Sequence, residues 1–174
     1  MFQDRKRFEW TESRIWLDLY RLLSYFYASV PLHQLRDDGY EYDSVKNLRE
    51  MCEKAEIHEL LIKIAASYRT QQDSVPGHDG RTGPKNVNPW HNACGTFWSD
   101  VGSDANEPLV LREACNKILH SDEIKHAYTH FENVWDYALE PRLELFGTRN
   151  KVKWKAELLI PRFVDCLFYN YTEA

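Results

Sequence analysis

The sequence lacks any uninterrupted apolar run that approaches the roughly 20 residues needed to cross a bilayer, so no membrane-spanning helix is expected. Its first ten residues are charged and lack the apolar centre and the small-residue cleavage site of a secretory signal. We therefore expect a cytoplasmic protein with no membrane partner.

Closely spaced cysteines are also missing. The four cysteines lie far apart without CxxC spacing: Cys52, Cys94, Cys115 and Cys166. Three of them fall among apolar residues at helical positions, which is typical of reduced thiols in a core and not of a disulfide framework.

The sequence has little that would hold a metal ion. His91 and Cys94 have an HxxC spacing, but no second close-spaced pair completes a four-ligand zinc site. His126 and His130 are four residues apart and would share one side of either a helix or a strand. No acidic residue accompanies them at a firm spacing, so we expect a structural role for this pair and neither a metal nor another cofactor.

An excess of positive charge is absent as well. The 174 residues include 22 Lys and Arg against 27 Asp and Glu, which gives a net charge of -5. Binding to nucleic acid would therefore need a local basic patch. Hydrophobic residues make up 43% of the chain, which is enough for a core and argues against disorder. This size and composition indicate a single domain over residues 1–174.

Two helices are predicted in the first half. Apolar residues recur at helical spacing over residues 15–30, with Thr11 as a cap and Pro31 near the end. A second helical pattern follows the candidate cap Asp43, and its apolar phase shifts near Ala55, which predicts a bend or irregular turn there. Their short connection favours an antiparallel helical core.

Glycine and proline, scarce elsewhere, concentrate between about residues 72 and 107, where five Gly and three Pro occur. This composition predicts a long irregular loop. Trp90, Phe97 and Trp98 would pin such a loop to the core, because solvated aromatic rings gain nothing from burial.

The last third predicts a helix, a hairpin and another helix. Asn106 and Pro108 resemble a cap and a first-turn proline for a helix over about 108–121. Alternating apolar and polar residues on both sides of residues 147–150 predict a β-hairpin. Residues 124–137 fit either a strand or a helical turn, and we favour a short strand that extends the hairpin. Pro161 opens a closing helix. The predicted fold is α+β, mainly α, with a small C-terminal antiparallel hairpin or three-stranded sheet.

Three polar residues of the helix over 108–121 line one stripe. On a helical wheel with Arg112 at zero, Asn116 falls at about 40° and His120 at about 80°, along the edge of the apolar face. A guanidinium offers a fork of donors to phosphate, and an imidazole titrates near neutrality, so together they suit phosphodiester cleavage. Alternatively, Arg112 pairs with a surface acid such as Glu113 and His120 caps the helix end.

The run from Asn116 to His120, inside a helix that bears an arginine, resembles the HEPN superfamily. The longer pattern over residues 109–121, followed by Leu145-Phe146-Gly147 and Trp154, resembles bacterial proteins near that superfamily that have no assigned activity. The resemblance implies a helical bundle that forms a homodimer around a shared, metal-independent RNase site. It makes His120 the general acid/base, Arg112 the phosphate clamp and Asn116 the orienting residue, in an endoribonuclease or toxin component that leaves a 2′,3′-cyclic phosphate.

One position departs from the family pattern. Cys115 stands directly before Asn116, where the family has its arginine, and Arg112 lies one turn earlier. This departure favours a second hypothesis, a catalytically inactive HEPN-like module that binds a partner protein or a nucleotide. Under the first hypothesis the partners are RNA and an antitoxin or another protein.

A row of lysines on the hairpin is the candidate substrate-binding surface. Lys151, Lys153 and Lys155 alternate with apolar residues, so they would share one side of the strand, with Arg149 nearby. The row could contact RNA phosphates. Such alternation is also typical of the solvated face of an edge hairpin, where lysines discourage aggregation.

Overall fold

The computed structural model describes residues 3–34, 44–74, 92–130 and 137–172 of the chain. In these ranges it contains four helices and five strands. In chain order they are α1 (Gln3–Gln34), α2 (Ser44–Ser74), β1 (Ala93–Trp98), β2 (Glu107–Val110), α3 (Leu111–Leu119), β3 (Glu123–His130), β4 (Tyr137–Arg149), β5 (Val152–Leu159) and α4 (Ile160–Thr172). None of these helices has the length and apolar composition that crossing a membrane requires.

The strands form one sheet in the order β2-β1-β5-β4-β3, and all neighbouring strands are antiparallel. The predicted hairpin is confirmed as β4 and β5. Its turn is Asn150-Lys151, one step beyond the centre of the predicted turn, and both residues have positive φ (52° and 67°). Two-residue hairpin loops need such angles, and asparagine adopts them more readily than most residues. The strand predicted within 124–137 is also confirmed, as β3 paired with β4.

The prediction of a small C-terminal sheet is wrong, although a mixed α+β fold is right. Two of the five strands come from outside the C-terminal third, so the molecule is also more than the helical bundle that the resemblance implied. β1 lies inside the predicted loop over 72–107, and β2 begins at its end. Phe97, expected to pin this loop, is buried in β1 and packs against Trp154, while Trp90 lies outside the described residues.

The helix predicted from Pro108 begins instead at Leu111. Val110 is the N-cap residue and makes no side-chain cap, so Asn106 does not have the predicted role. Pro108 lies in β2 opposite Thr96. β2 is an edge strand, and an edge tolerates proline because one side of it needs no backbone donor.

α1 and α2 form the predicted antiparallel pair. Contacts join late residues of α1 to early residues of α2 and the reverse, as shown by Arg49 with the Ser29 carbonyl (3.3 Å) and Lys63 with Asp18 (2.6 Å). Both helices are longer than predicted. Thr11 and Pro31 lie inside α1 and not at its ends, and Asp43 lies outside the described residues.

α2 is one helix without the irregular turn predicted near Ala55. The shift in apolar phase has another cause. Arg49 and Glu53 occupy the first two positions of the buried stripe that continues at Ile57, whereas the apolar side chain of Leu48 is 64% exposed. A buried ion pair therefore takes positions that apolar residues usually occupy, and this makes the apolar pattern of the sequence appear to shift.

The core lies between the sheet and the helices. Alternate residues of the central strands point into it, including Leu143 and Leu145 of β4 and Trp154, Ala156 and Leu158 of β5. All four cysteines are free, as predicted, and three of them are buried. Cys94, which falls in the loop predicted over 72–107, lies in β1.

Candidate functional site

A groove of about 700 Å³ lies between α3 and the tip of the β4–β5 hairpin. α3 and the turn that follows it form one wall, and the hairpin forms the other. The lining residues are Glu113, Asn116, Lys117, His120, Ser121, Asp122, Thr148, Arg149 and Trp154.

Of the three predicted catalytic residues, the groove brings together Asn116 and His120 but not Arg112. The Arg112 guanidinium donates to Gln72 Oε1 (2.9 Å) and to Asp73 Oδ1 (3.0 Å), both near the end of α2. Its hydrogen bond holds the pKa of the Asp73 carboxyl below its usual value. Arg112 therefore ties α3 to α2, which is the ion-pair alternative with Asp73 in place of Glu113.

Hydrogen bonds hold both the oxygen and the nitrogen of the Asn116 side-chain amide. Arg69 of α2 donates to Asn116 Oδ1, and Asn116 Nδ2 donates to Glu113 Oε2 (3.1 Å). Glu113 also forms an ion pair with Lys117 (3.0 Å). Burial alone would raise the pKa of Glu113, but the hydrogen bonds from Asn116 and Lys117, with the charges of Lys117 and Arg149, lower it overall.

Lys117 is a buried cation that forms part of the groove floor. Its Nζ lies 4.2 Å from the ring centroid of Phe97 and 4.4 Å from that of Trp154. The electron-rich faces of both rings and the carboxylate of Glu113 replace the water that the ammonium loses on burial. Gly147 makes room for Trp154, because a Cβ there would lie 2.2 Å from Trp154 Cζ2.

His120 lies at the C-terminal end of α3, where its backbone N–H donates to the Asn116 carbonyl (3.0 Å). The residue is exposed, and the described part of the chain gives its imidazole no hydrogen bond or ion pair. The ring is thus open to a ligand in the groove.

The three lysines of the predicted row differ in whether they form an ion pair. Lys155 donates to Glu144 Oε1 (2.6 Å), so its charge is compensated. Lys151 and Lys153 are exposed near the turn, and so is Arg149, and these three side chains have no hydrogen bond or ion pair among the described residues. Cations that form no ion pair therefore cluster at the hairpin tip, although the charge of Arg149 also helps to lower the pKa of Glu113.

Two important residues were missed from the sequence: Arg69, which holds Asn116 from outside the groove lining, and Arg149, which lines the groove. Arg69 lies 47 positions before its partner Asn116, and nothing in the local pattern connects them. Arg149 was noted only as a neighbour of the lysines. Arg149 lies two residues after Gly147 and opposite Val152 in the hairpin, on the same side of the strand as Gly147, which could have indicated that it projects from the tip toward α3.

Nothing in this arrangement forms a metal centre. Across the four described ranges, no three His, Cys, Asp or Glu side chains group closely enough to hold a metal ion, and His91 lies outside those ranges. Comparison with protein-family models, with curated proteins and with solved structures found no significant match to this chain.

Proposed function

We propose that the chain is a binding module for phosphate-bearing ligands, nucleotides or single-stranded RNA, and that the ligand's phosphate occupies the groove between α3 and the hairpin. One observation carries the proposal. The Arg149 guanidinium shares the groove with Asn116 and His120 and has no ion pair within the described residues. A planar guanidinium without a partner suits bidentate contact with phosphate.

The local charge favours an anion even though the whole chain is acidic. Lys117 compensates Glu113, so Asp122 is the one carboxylate lining the groove that forms no ion pair with a described residue. Against it stand Arg149 in the groove and Lys153, which lies opposite the lining residue Thr148 in the hairpin. Successive side chains of a strand point to opposite faces, so Lys153 adds positive charge at the hairpin tip but does not line the groove as Trp154 does.

Binding is favoured over catalysis because Arg112 is engaged elsewhere. The predicted transition-state clamp is held by Gln72 and Asp73 outside the groove, and Cys115 beside it is fully buried. The proposal retains the HEPN-like resemblance as a prediction. It also includes a cytoplasmic location, which the four free thiols support because reducing compartments maintain them.

A metal-independent RNase is the second candidate, and one observation favours it. His120 is exposed in the groove that also contains Arg149, so a general acid/base and a phosphate clamp share one cleft. His120 would take the proton of the RNA 2′-hydroxyl as its oxygen attacks the adjacent phosphate. The P–O5′ bond would break, leaving a 2′,3′-cyclic phosphate, and the departing 5′-oxygen would take a proton from a second imidazole or from water. A dimer would supply a second imidazole, and the exposed apolar side chains Tyr20, Tyr27 and Met51 on the helix pair offer a surface for a second copy.

Fluorescence anisotropy tests the binding proposal with a labelled single-stranded RNA and, separately, with labelled ATP. Arg149→Gln should weaken binding by about tenfold, the scale of one charge-assisted hydrogen bond. Lys155→Gln removes the same charge from a side chain that Glu144 already compensates, and it should leave affinity nearly unchanged. Equal losses in the two variants would mean unspecific charge attraction, and no binding by the unsubstituted protein would overturn the proposal.

The RNase candidate has its own test. End-labelled single-stranded and structured RNAs are incubated with the protein in EDTA, and the products are analysed for a 2′,3′-cyclic phosphate. Cleavage that disappears in folded His120→Ala but survives in Arg112→Ala would support a site built from His120 and Arg149. Intact RNA, or equal cleavage by His120→Ala, would leave binding as the sole function of the groove.

A further inference from the structure

Two histidines outside the groove join α2 to β3. The Nε2 atoms of His58 and His126 lie 3.0 Å apart, while the ring centroids are 5.1 Å apart. The nitrogens therefore lie between the rings and point toward each other, as in an N–H···N hydrogen bond. Such a bond requires one ring to donate and the other to accept.

The burial of His126 Nδ1 determines which ring donates the Nε2···Nε2 hydrogen bond. His126 Nδ1 is buried and has no hydrogen-bond partner. A proton on this atom would be an unpaired buried donor, which is costly. The proton of His126 therefore resides on Nε2 and is donated to His58 Nε2.

Neither ring forms an ion pair with a described residue that would compensate an added charge. On α2, Lys54 lies close enough to disfavour protonation of both rings, and Glu53 lies beside it. Asp122, which precedes β3, and Glu123, its first residue, are exposed and line a cavity of about 310 Å³ together with His58. On the remaining sides, Tyr128 stacks on His126 at 6.4 Å, β4 places Leu143 opposite His126, and α3 contributes Ile118 and Leu119 to the cavity.

Burial is the main reason that both rings are neutral at pH 7. Desolvation, with the charges of His58 and Lys54, lowers the pKa of His126 to about 4. Desolvation and Lys54 also lower the pKa of His58. In the unfolded chain both imidazoles titrate near the ordinary value of about 6.5.

We propose that the His58–His126 hydrogen bond is an acid-sensitive latch, which holds α2 against β3 at neutral pH and opens when the pair takes up a proton from water. A proton added to His126 must go to Nδ1, where it has no acceptor. A proton added to His58 Nε2 either faces the N–H of His126 or forces that proton onto the same buried Nδ1. Every protonated form therefore loses a hydrogen bond or buries an unpaired donor.

The latch is connected to the α3–β3 turn. The backbone N–H of Asp122 in this turn donates to the Phe146 carbonyl (2.8 Å), and Asp122 lines the cavity that contains His58. The protection of this amide against hydrogen exchange is therefore a local reporter of the latch.

The sign of the pH dependence follows from the lowered pKa values. Below pH 6.5 the unfolded or opened state binds protons that the closed state excludes, so the latch contribution is complete above pH 6.5 and is lost as pH falls toward 4. The protection factor of the Asp122 amide should fall at least about tenfold between pH 7 and pH 4.5, a change of about 1.4 kcal/mol in opening free energy.

Imidazole ¹⁵N NMR on the unsubstituted protein is the first test and needs no variant. It should show His126 as the Nε2–H tautomer with a titration midpoint near 4. Exchange measurements then compare three proteins. The Asp122 amide should lose its extra pH dependence in the double variant His58→Phe/His126→Phe and keep it in His130→Gln, an exposed histidine on the same strand. An Nδ1–H tautomer of His126, or a protection factor that is constant over this range in the unsubstituted protein, would overturn the latch.

Discussion

Ser29 of α1 is fully buried, and its hydroxyl accepts a hydrogen bond from the backbone N–H of Leu139 in β4 (2.9 Å). Its carbonyl accepts from Arg49 of α2, whose guanidinium also donates to the Tyr137 carbonyl (2.9 Å). Three elements therefore meet at polar groups whose hydrogen bonds are satisfied. Burial of such groups is tolerated only when their partners are in place.

Ser29→Ala should destabilise the protein by about 1–3 kcal/mol, because the Leu139 N–H would be left buried without an acceptor. Ser24→Ala is the matched control. Ser24 is on the same helix, and its hydroxyl bonds only to the Tyr20 carbonyl, so its loss should change stability by less than about 0.5 kcal/mol. Urea unfolding at pH 7 measures both values. Equal effects would show that the Ser29 contact contributes nothing specific.

At the scale of the element, β1 depends on a close approach of backbones. A Cβ at Gly95 would lie 1.9 Å from the Glu157 carbonyl oxygen of β5. The strand contains this glycine and lies in a stretch rich in glycine and proline, a composition that a local reading of the sequence attributes to a loop. The requirement for glycine comes from β5, more than 60 positions away, and no local pattern contains it.

Gly95→Ala should therefore cost about 1–3 kcal/mol or more, because a backbone atom cannot move aside as a flexible side chain can. Gly102→Ala introduces the same methyl group beside the Asp100 side chain, at 3.3 Å from Oδ1, and its cost should be much smaller. Thermal unfolding followed by circular dichroism compares the two variants. A Gly95→Ala protein as stable as Gly102→Ala would contradict the β1–β5 packing described above.

Other elements show which signals a sequence carries. The hairpin was predictable because buried and less buried residues alternate over residues 143–147 and 154–158, and because β4 and β5 pair with each other across two residues. The burial of α3 was predictable in the same way from its apolar face, although buried Lys117 was not. α2 misled the prediction because Arg49 and Glu53 replace apolar residues in its buried stripe. Of the three predicted catalytic residues, Asn116 and His120 lie in the groove. The position of Arg112 was not predictable, because its partners depend on how α2 packs against α3.

At the scale of the whole molecule, an acidic chain concentrates uncompensated positive charge in one place. The net charge is -5, yet Arg149, Lys151 and Lys153 lie exposed together at the hairpin tip beside the groove. Lys155 lies farther from the turn, two residues after Lys153, and its charge is compensated by Glu144. A local field of this kind can attract phosphate while the rest of the surface repels it, so binding should be salt-dependent and confined to the groove.

The most direct test of ligand binding in the groove is a map of backbone amide chemical shifts during titration with a short single-stranded RNA at pH 7. We expect the perturbed amides to lie in residues 116–122 and 148–153, the two walls of the groove and the hairpin tip. The same titration of Arg149→Gln should require about ten times more RNA to reach equal shifts. Perturbations concentrated on α1 and α2, or a map that Arg149→Gln leaves unchanged, would contradict the assignment of the groove.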